Sequence, residues 1–399
     1  MAHDIGRTDL GDHSGFTTRA VRAGQQRSQF HETSEYLALT SGYTFATAAE
    51  NAGTFAGEVE HYNYSRVDNP TTTMLCDRLA ALDGAEAAWP VASGMAAIFY
   101  TVLALTRSGS RIVSSRELFG STVGLFTLME ERFGVHVDYV AATDMREWER
   151  ALSTPAALVF CETPSNPVMR LVDLAGVSAL AHQAGALMVV DNTFATPVLQ
   201  QPLRFGADVI TYSTTKLMDG QGRTVGGAIL GTESFIIDQV KPWTRCTGPT
   251  MSPFTAWTVL KGLETLPLRV QAQSNSARQI AQALEQHPNV EQVLHPDLPS
   301  HPQYDLAQQQ MEGGGQMLSI VVSGGTQGAH AFLDRLSLID ISNNLGDTKS
   351  LAVHCATTTH HSLTPEEREV AGIPDGLVRL SIGLEDVHDL LDDITQALA

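Results

Sequence analysis

Lys216 is one of four lysines in the chain, with Lys241, Lys261 and Lys349, and the first 215 residues contain none. It stands between a strand-like run, Ala207-Asp208-Val209-Ile210-Thr211-Tyr212, and a glycine-rich loop, Gly220-Gln221-Gly222 to Gly226-Gly227. Ser213, Thr214 and Thr215 crowd it with hydroxyls. In α/β proteins ligands bind at the carboxyl ends of strands. A lysine buried there loses pKa and attacks carbonyls as a neutral amine, forming Schiff bases. One strand earlier, Asp191 ends the apolar run Leu187-Met188-Val189-Val190. A carboxylate in that position is costly unless paired. Opposite a pyridinium N–H it would keep the ring nitrogen protonated and make the ring an electron sink. An amine for an aldehyde and a carboxylate for a ring nitrogen are two of the four things that pyridoxal phosphate (PLP) requires of a protein.

The other two are a phosphate cradle and a grip on the substrate carboxylate. Ser93-Gly94-Met95 precedes an apolar helix-like run. Ser93 is a good N-cap and Gly94 lets backbone approach an anion, so that free N–H groups would face a phosphate. The dipole contributes about 0.3–1 kcal/mol at an exposed helix start, so hydrogen bonds must do most of the holding. Arg379, in Leu377-Val378-Arg379-Leu380-Ser381, has apolar strand-like neighbours. It is either paired to an internal acid or set to clamp a ligand carboxylate. Each residue also has a plainer reading: Asp191 can cap the Asn192-Thr193 turn, and Ser93 can simply cap its helix. The combination with Lys216 favours the cofactor.

Two patterns are set aside. Gly220-Gln221-Gly222 with Gly226-Gly227 resembles a dinucleotide fingerprint, but Val225 breaks the spacing and residues 226–230 look like a strand, not the required helix. The segment His354-Cys355 to His360-His361 has metal-ligand residue types without a ligand spacing, so no metal is expected.

The elements that would position these residues alternate. Helix-like runs at 72–82, 95–106, 121–133, 145–152 and 174–184 separate strand-like runs at 110–115, 136–141, 156–161, 186–191 and 207–212. Short apolar strands between helices predict an α/β fold with a largely parallel sheet covered on both faces. A long helical pattern spans about 253–285. Beyond it, strands at 316–322 and 377–382 and helices at 329–336 and 387–398 predict a smaller α+β domain. Residues 1–65 show no sustained helical period and suit an extended arm. The organisation expected is therefore an arm (1–65), a large domain (66–252) and a small C-terminal domain (253–399).

Composition bounds the partners. A formal net charge of −19 and a pI near 5.0 argue against nucleic acid or anionic membrane, which need clustered cations. No apolar run approaches the roughly 18 residues of a membrane span, and Met1–Arg7 lacks the apolar core of a secretion signal. Cys76, Cys161, Cys246 and Cys355 are scattered without paired spacing, as in reduced cytoplasmic proteins.

Six segments in order give a more specific indication: Tyr64-Ser65-Arg66-x-x-Asn69-Pro70-Thr71, Ala92-Ser93-Gly94-Met95, Glu162-Thr163-Pro164-x-Asn166-Pro167, Val190-Asp191-Asn192-Thr193, Ser213-Thr214-Thr215-Lys216, and Val378-Arg379-Leu380-Ser381-Ile382-Gly383-Leu384-Glu385. From about Phe30 onward the chain resembles the PLP enzymes of cysteine and methionine metabolism, among them cystathionine γ-synthase, methionine γ-lyase and the homoserine-ester sulfhydrylases. Residues 32–35, 219–223, 341–347 and 356–360 are most similar to the subgroup that uses O-succinylhomoserine.

The resemblance implies PLP fold type I, the aspartate-aminotransferase-like architecture with a seven-stranded, mostly parallel sheet. It also implies dimers with shared active sites, often paired into a homotetramer. Lys216 would carry PLP and act as the catalytic base, with Asp191 on the ring nitrogen and Phe119 against the ring. Ser93, Gly94, Met95, Ser213 and Thr215 would hold the phosphate with Tyr64 and Arg66 of the neighbouring subunit, and Asn166 would lie near the phenolic oxygen. Arg379, Asn344 and Tyr64 would bind the amino-acid substrate. The implied reaction is γ-replacement with sulfide, giving homocysteine and succinate. Alternatives are cystathionine γ-synthase, O-acetylhomoserine sulfhydrylase, methionine γ-lyase or a non-catalytic PLP-fold binder. Four positions depart from the family pattern: Phe119 for the common Tyr, Ser121 where γ-lyases have a reactive Cys, Thr214 for Ala, and Cys355 for Pro.

Overall fold

Short apolar runs that end in polar residues build two sheets, and both sheets deliver side chains to one region. A computed structural model of the chain describes residues 10, 14–361 and 363–399. The first sheet comprises β1 (Ala87–Val91), β2 (Arg111–Ser115), β3 (His136–Val140), β4 (Leu158–Glu162), β5 (Leu187–Asp191), β6 (Val209–Ser213) and β7 (Gly227–Gly231). Their order is β1-β7-β6-β5-β4-β2-β3. β7 is antiparallel to both its neighbours, and the other pairs are parallel. Every residue of β4 is buried, as are the middle residues of β5 and the first four of β6. Burial on both faces explains why these strands read as continuous apolar runs.

The second sheet comprises β8 (Val290–Leu294), β9 (Met317–Val322), β10 (Asp340–Ile341), β11 (Leu351–His354) and β12 (Leu377–Ser381), in the order β10-β11-β12-β9-β8. It is antiparallel except for the short β10–β11 pair. The helix Leu266–Leu284 links the two cores. Leu266 and Val270 pack into the core behind the first sheet, whereas Ala277, Ile280, Ala281 and Leu284 pack into that of the second. One amphipathic helix thus fixes the spacing between them.

Several expectations are corrected. The helical pattern at 253–285 is two helices, Pro253–Glu264 and Leu266–Leu284, broken at Thr265, which has non-helical backbone before Pro267. β1, β8, β10 and β11 were not anticipated. β1 carries Pro90 on a sheet edge, and β10 is two residues long. The 1–65 segment contains the helices Phe16–Arg22 and Ala48–Ala56, the second capped by Thr47 and closed by Gly57. Residues 1–9 and 11–13, including the Met1–Arg7 stretch, lie outside the described residues.

The N-terminal segment is pinned by charge. Glu35 accepts from the guanidinium of Arg78 and the ammonium of Lys261, and the Arg78 and Glu35 side chains are almost wholly buried. Arg78 also donates to the Ala23 carbonyl (2.9 Å), and Trp257 Nε1 donates to the Glu35 carbonyl (2.9 Å). Burial alone would raise the Glu35 pKa, but Arg78 and Lys261 outweigh it and bring it down to about 2. A depressed carboxylate stabilises the fold above its ordinary value near 4.5 and loses that contribution as pH falls through about 2. Glu35→Ala should destabilise the protein by about 3–5 kcal/mol at neutral pH, because it strands a buried guanidinium. Thermal unfolding between pH 7 and pH 2 should then fall less steeply in the variant than in the wild type.

Candidate active site

Lys216 lies just beyond the carboxyl end of β6, in a turn held from several sides. Its own N–H donates to the Ser213 carbonyl (3.2 Å) and its carbonyl accepts from Gly220 N–H (2.8 Å). The buried Arg269 donates to the carbonyls of Leu217 (2.8 Å) and Gly262 (2.7 Å). Gly346, at φ 75°, comes so close that a Cβ there would sit 2.7 Å from Leu217 N, so this close approach requires glycine. Lys216 Nζ donates to Asn344 Oδ1 at 2.6 Å. No carboxylate among the described residues pairs with it. Burial, with a smaller contribution from Arg379, lowers its pKa to about 8.

Asp191 ends β5, opposite Glu162 on β4 and Thr211 on β6. Its Oδ1 accepts the Thr193 N–H at 2.9 Å, so the turn-capping reading is correct. The Thr193 side chain also hydrogen-bonds this carboxyl. Thr193 Oγ1 in turn accepts the Ser213 N–H (2.9 Å), tying the Asp191 turn to β6. Burial pushes the Asp191 carboxyl up, and burial with the charge of Asp191 does the same to Glu162.

Ser93 follows β1, and its hydroxyl accepts from Ala96 N–H (3.1 Å), capping the helix Gly94–Leu105. The Ser93 side chain is therefore committed to the cap. The N–H groups of Gly94 and Met95 have no acceptor among the described residues. A Cβ on Gly94 would lie 2.7 Å from Ser213 Cβ, so this helix start abuts Ser213. Thr215 Oγ1 both donates to Gly226 O (3.2 Å) and accepts from Gly226 N–H (3.0 Å).

Arg379, 2% exposed on β12, donates from Nη1 to Asn166 Oδ1 (3.0 Å). From Nη2 it donates to the carbonyls of Asn343 (3.0 Å) and Asn344 (3.1 Å). Its Nε has no partner, and no carboxylate among the described residues forms a salt bridge with it. A buried guanidinium held by three neutral oxygens is suited to an external carboxylate, whereas an internal ion pair would have consumed it. The loop after β10 thus carries Asn344 between Lys216 and Arg379. Phe119, 37% exposed, is held through its N–H by Glu162 Oε2 (2.8 Å), and Asn166 N–H is held by Glu162 Oε1 (3.2 Å).

Tyr64 and Arg66 pair with each other and line a different pocket. Arg66 sits over the Tyr64 ring at 5.3 Å and donates to the Arg245 carbonyl. Both line a groove of about 440 Å³ with Gly248 and residues 250–253, and neither Lys216 nor Asp191 lines it. A cavity of about 600 Å³ adjoins the site through Asn166 and His360 without including Lys216. His354 is occupied by Thr357 Oγ1 and the Asp375 carbonyl, and no cluster of three metal-ligating side chains occurs among the described residues.

These residues fit PLP: an amine of lowered pKa without a carboxylate partner, two unpartnered helix N–H groups, a buried aspartate at a strand end with no cation paired to it among the described residues, and a buried guanidinium without a salt bridge. Residues 17–399 match the family described as Cys/Met metabolism PLP-dependent enzyme. The chain belongs to that family. Relatives named O-succinylhomoserine sulfhydrylase, from Mycobacterium tuberculosis (strain CDC 1551 / Oshkosh) and Pseudomonas aeruginosa (strain PAO1), are 51% and 48% identical to it. The alignments cover 98% and 99% of this chain and 97% and 98% of the relatives. A Campylobacter jejuni structure containing N'-pyridoxyl-lysine-5'-monophosphate superimposes with a TM-score of 0.92 at 30% identity, over 96% of this chain and all of that one. The architecture is PLP fold type I, and the protein is a PLP-dependent enzyme.

Glu162 ends an apolar strand as Asp191 does, but its sequence context alone assigns it no role. Arg269 and Thr193 were also missed, because nothing local marks a side chain that acts on a distant backbone carbonyl or N–H. For this family member, PLP added to the apoprotein should be captured by Lys216 faster as pH rises through about 8 and level off above it, since the neutral amine is the reactive form. Stopped-flow absorbance would measure this. Lys216→Ala should leave no borohydride-fixed adduct by mass spectrometry.

Proposed function

We propose that the protein catalyses γ-replacement on O-succinylhomoserine with sulfide, releasing homocysteine and succinate for methionine biosynthesis. The observation that carries the substrate assignment is the 48–51% identity, over nearly the full length of both chains, to relatives named O-succinylhomoserine sulfhydrylase. Geometry supports amino-acid chemistry at this site. Arg379 takes the α-carboxylate, and Asn344, which accepts from Lys216 and offers Arg379 its carbonyl, aligns carboxylate and base. Bound PLP supplies an electron sink for carbanion character at Cα and then Cβ. Lys216 is the base that carries protons between these carbons, and Asn344 is the acceptor that holds its amine in place. Asp191 would keep the ring nitrogen protonated, and Phe119 and Asn166 would help hold the ring. Gly94 and Met95 offer N–H groups to the phosphate, with Ser93, Ser213 and Thr215 shaping the cradle.

The proposal includes a cytoplasmic homotetramer of dimers that share active sites. Tyr64 would assist the first deprotonation and Arg66 would bind phosphate across the dimer interface. Among the described residues neither side chain hydrogen-bonds Lys216 or Asp191 of its own chain, which supports that reading. No described helix is long and apolar enough to cross a membrane. Residues 66–252 would act as the PLP-binding domain, 253–399 as the small domain, and 1–65 as the arm on the neighbouring subunit.

The deciding assay compares succinyl- and acetyl-homoserine, each with sulfide and with cysteine. The succinyl ester with sulfide should have the highest kcat/KM. Preference for cysteine would make the enzyme a cystathionine synthase, and release of 2-oxobutanoate from methionine a γ-lyase. Arg379→Lys should raise KM for the ester at least about tenfold, since lysine cannot reproduce a planar fork. Mixed dimers of Tyr64→Phe and Lys216→Ala chains should recover activity that neither parent has, and no recovery in verified heterodimers would exclude shared sites.

A further inference from the structure

Glu162 occupies a junction that the reaction outlined above does not use. It is 7% exposed at the carboxyl end of β4, and no side-chain cation among the described residues forms a salt bridge with it. Its two oxygens are divided between two separate stretches of backbone: Oε2 accepts Phe119 N–H from the segment after β2, and Oε1 accepts Asn166 N–H from the loop after β4. Asn166 passes the connection on, since its Oδ1 accepts from Arg379 Nη1. Glu162 is also the register partner of Asp191. Neighbouring strands lie about 4.7–4.9 Å apart, so the two carboxylates are side by side.

A buried carboxylate beside another is costly, and backbone N–H groups alone would be served as well by a less expensive acceptor. What Glu162 adds is charge. Burial and the neighbouring Asp191 push its carboxyl up, whereas the Phe119 and Asn166 N–H groups and Arg379 favour its anion, as would the positive charge of a bound cofactor. We propose that Glu162 is a positioning residue for the PLP site: it sets Phe119, Asn166 and through it Arg379 relative to Asp191, and its negative charge acts with that of Asp191 on the bound cofactor. This rests on PLP binding and not on the identity of the acyl ester or sulfur donor.

The test uses holoenzyme without substrate. Glu162→Gln keeps the shape but replaces one acceptor oxygen with an NH₂ that faces a backbone donor, and it removes the charge. A nearby anion favours the protonated, cationic form of the cofactor's chromophore. The pH midpoint of the visible absorption band should therefore fall by about one unit in Glu162→Gln. Binding of L-2-aminobutyrate, which has a carboxylate for Arg379 and no γ-leaving group, should weaken at least fivefold by spectral titration. Glu162→Asp keeps the charge but withdraws the oxygens, so it should retain the wild-type midpoint and still bind 2-aminobutyrate more weakly. A folded Glu162→Gln holoenzyme with wild-type midpoint and affinity would overturn the proposal. Should that variant not fold, Glu162→Asp with wild-type affinity would overturn it equally. Neither readout involves the acyl ester or sulfide, so a different substrate preference would leave this result standing.

Discussion

An amine that must be neutral to react has to be kept from water and from carboxylates, yet still be aimed. The surroundings of Lys216 meet these demands together. Partial burial lowers its pKa, and Arg379 lowers it further. The group that receives its hydrogen bond is the neutral amide of Asn344. A carboxylate in that place would stabilise the ammonium and reverse the effect. The turn that carries the amine is fixed by backbone contacts with Arg269 and Gly346, so aiming does not depend on a charged partner.

The site is one connected path through both sheets. From Lys216 it runs to Asn344, to Arg379 on β12, to Asn166, to Glu162 on β4, across the register to Asp191 on β5, through Thr193 to Ser213, and to the helix start at Gly94. The first sheet alone would supply the amine, the ring carboxylate and the phosphate cradle. In the proposed reading the second would supply the carboxylate anchor, and it carries the acceptor for the amine. A fixed separation between the sheets is therefore a chemical requirement, and the helix Leu266–Leu284 meets it by burying its two halves in different cores.

Legibility followed the physics of each part. Central strands such as β4, β5 and β6 were readable because burial on both faces leaves an uninterrupted apolar run. Lys216 and Asp191 stood out as charges at the ends of such runs. Glu162 has the same signature and was passed over, because its oxygens are spent on backbone N–H groups of residues 119 and 166. Edge elements were harder: β10 is two residues long and β1 contains a proline, so neither has the pattern that a longer strand needs. The path of residues 341–361 depends on Ser381 holding Gly346 N–H (2.9 Å) and on Arg379 holding two loop carbonyls. Those are long-range contacts without local trace.

The plain and the chemical readings of a residue are not rivals here. Asp191 does cap its turn, and its bonds to the Thr193 N–H and side chain fix the direction of the carboxylate. Ser93 does cap its helix, and by satisfying Ala96 N–H it leaves the two preceding N–H groups as the exposed donors. Arg379 is held by structural hydrogen bonds, yet all of them go to neutral oxygens, which orient the guanidinium without a direct salt bridge. In each case the structural bond restricts the rotamer, and the unspent valence is what remains for cofactor or substrate. Pre-organisation at this site is thus achieved with ordinary caps and turns, and what distinguishes a functional residue is the polar atom its structural role leaves over.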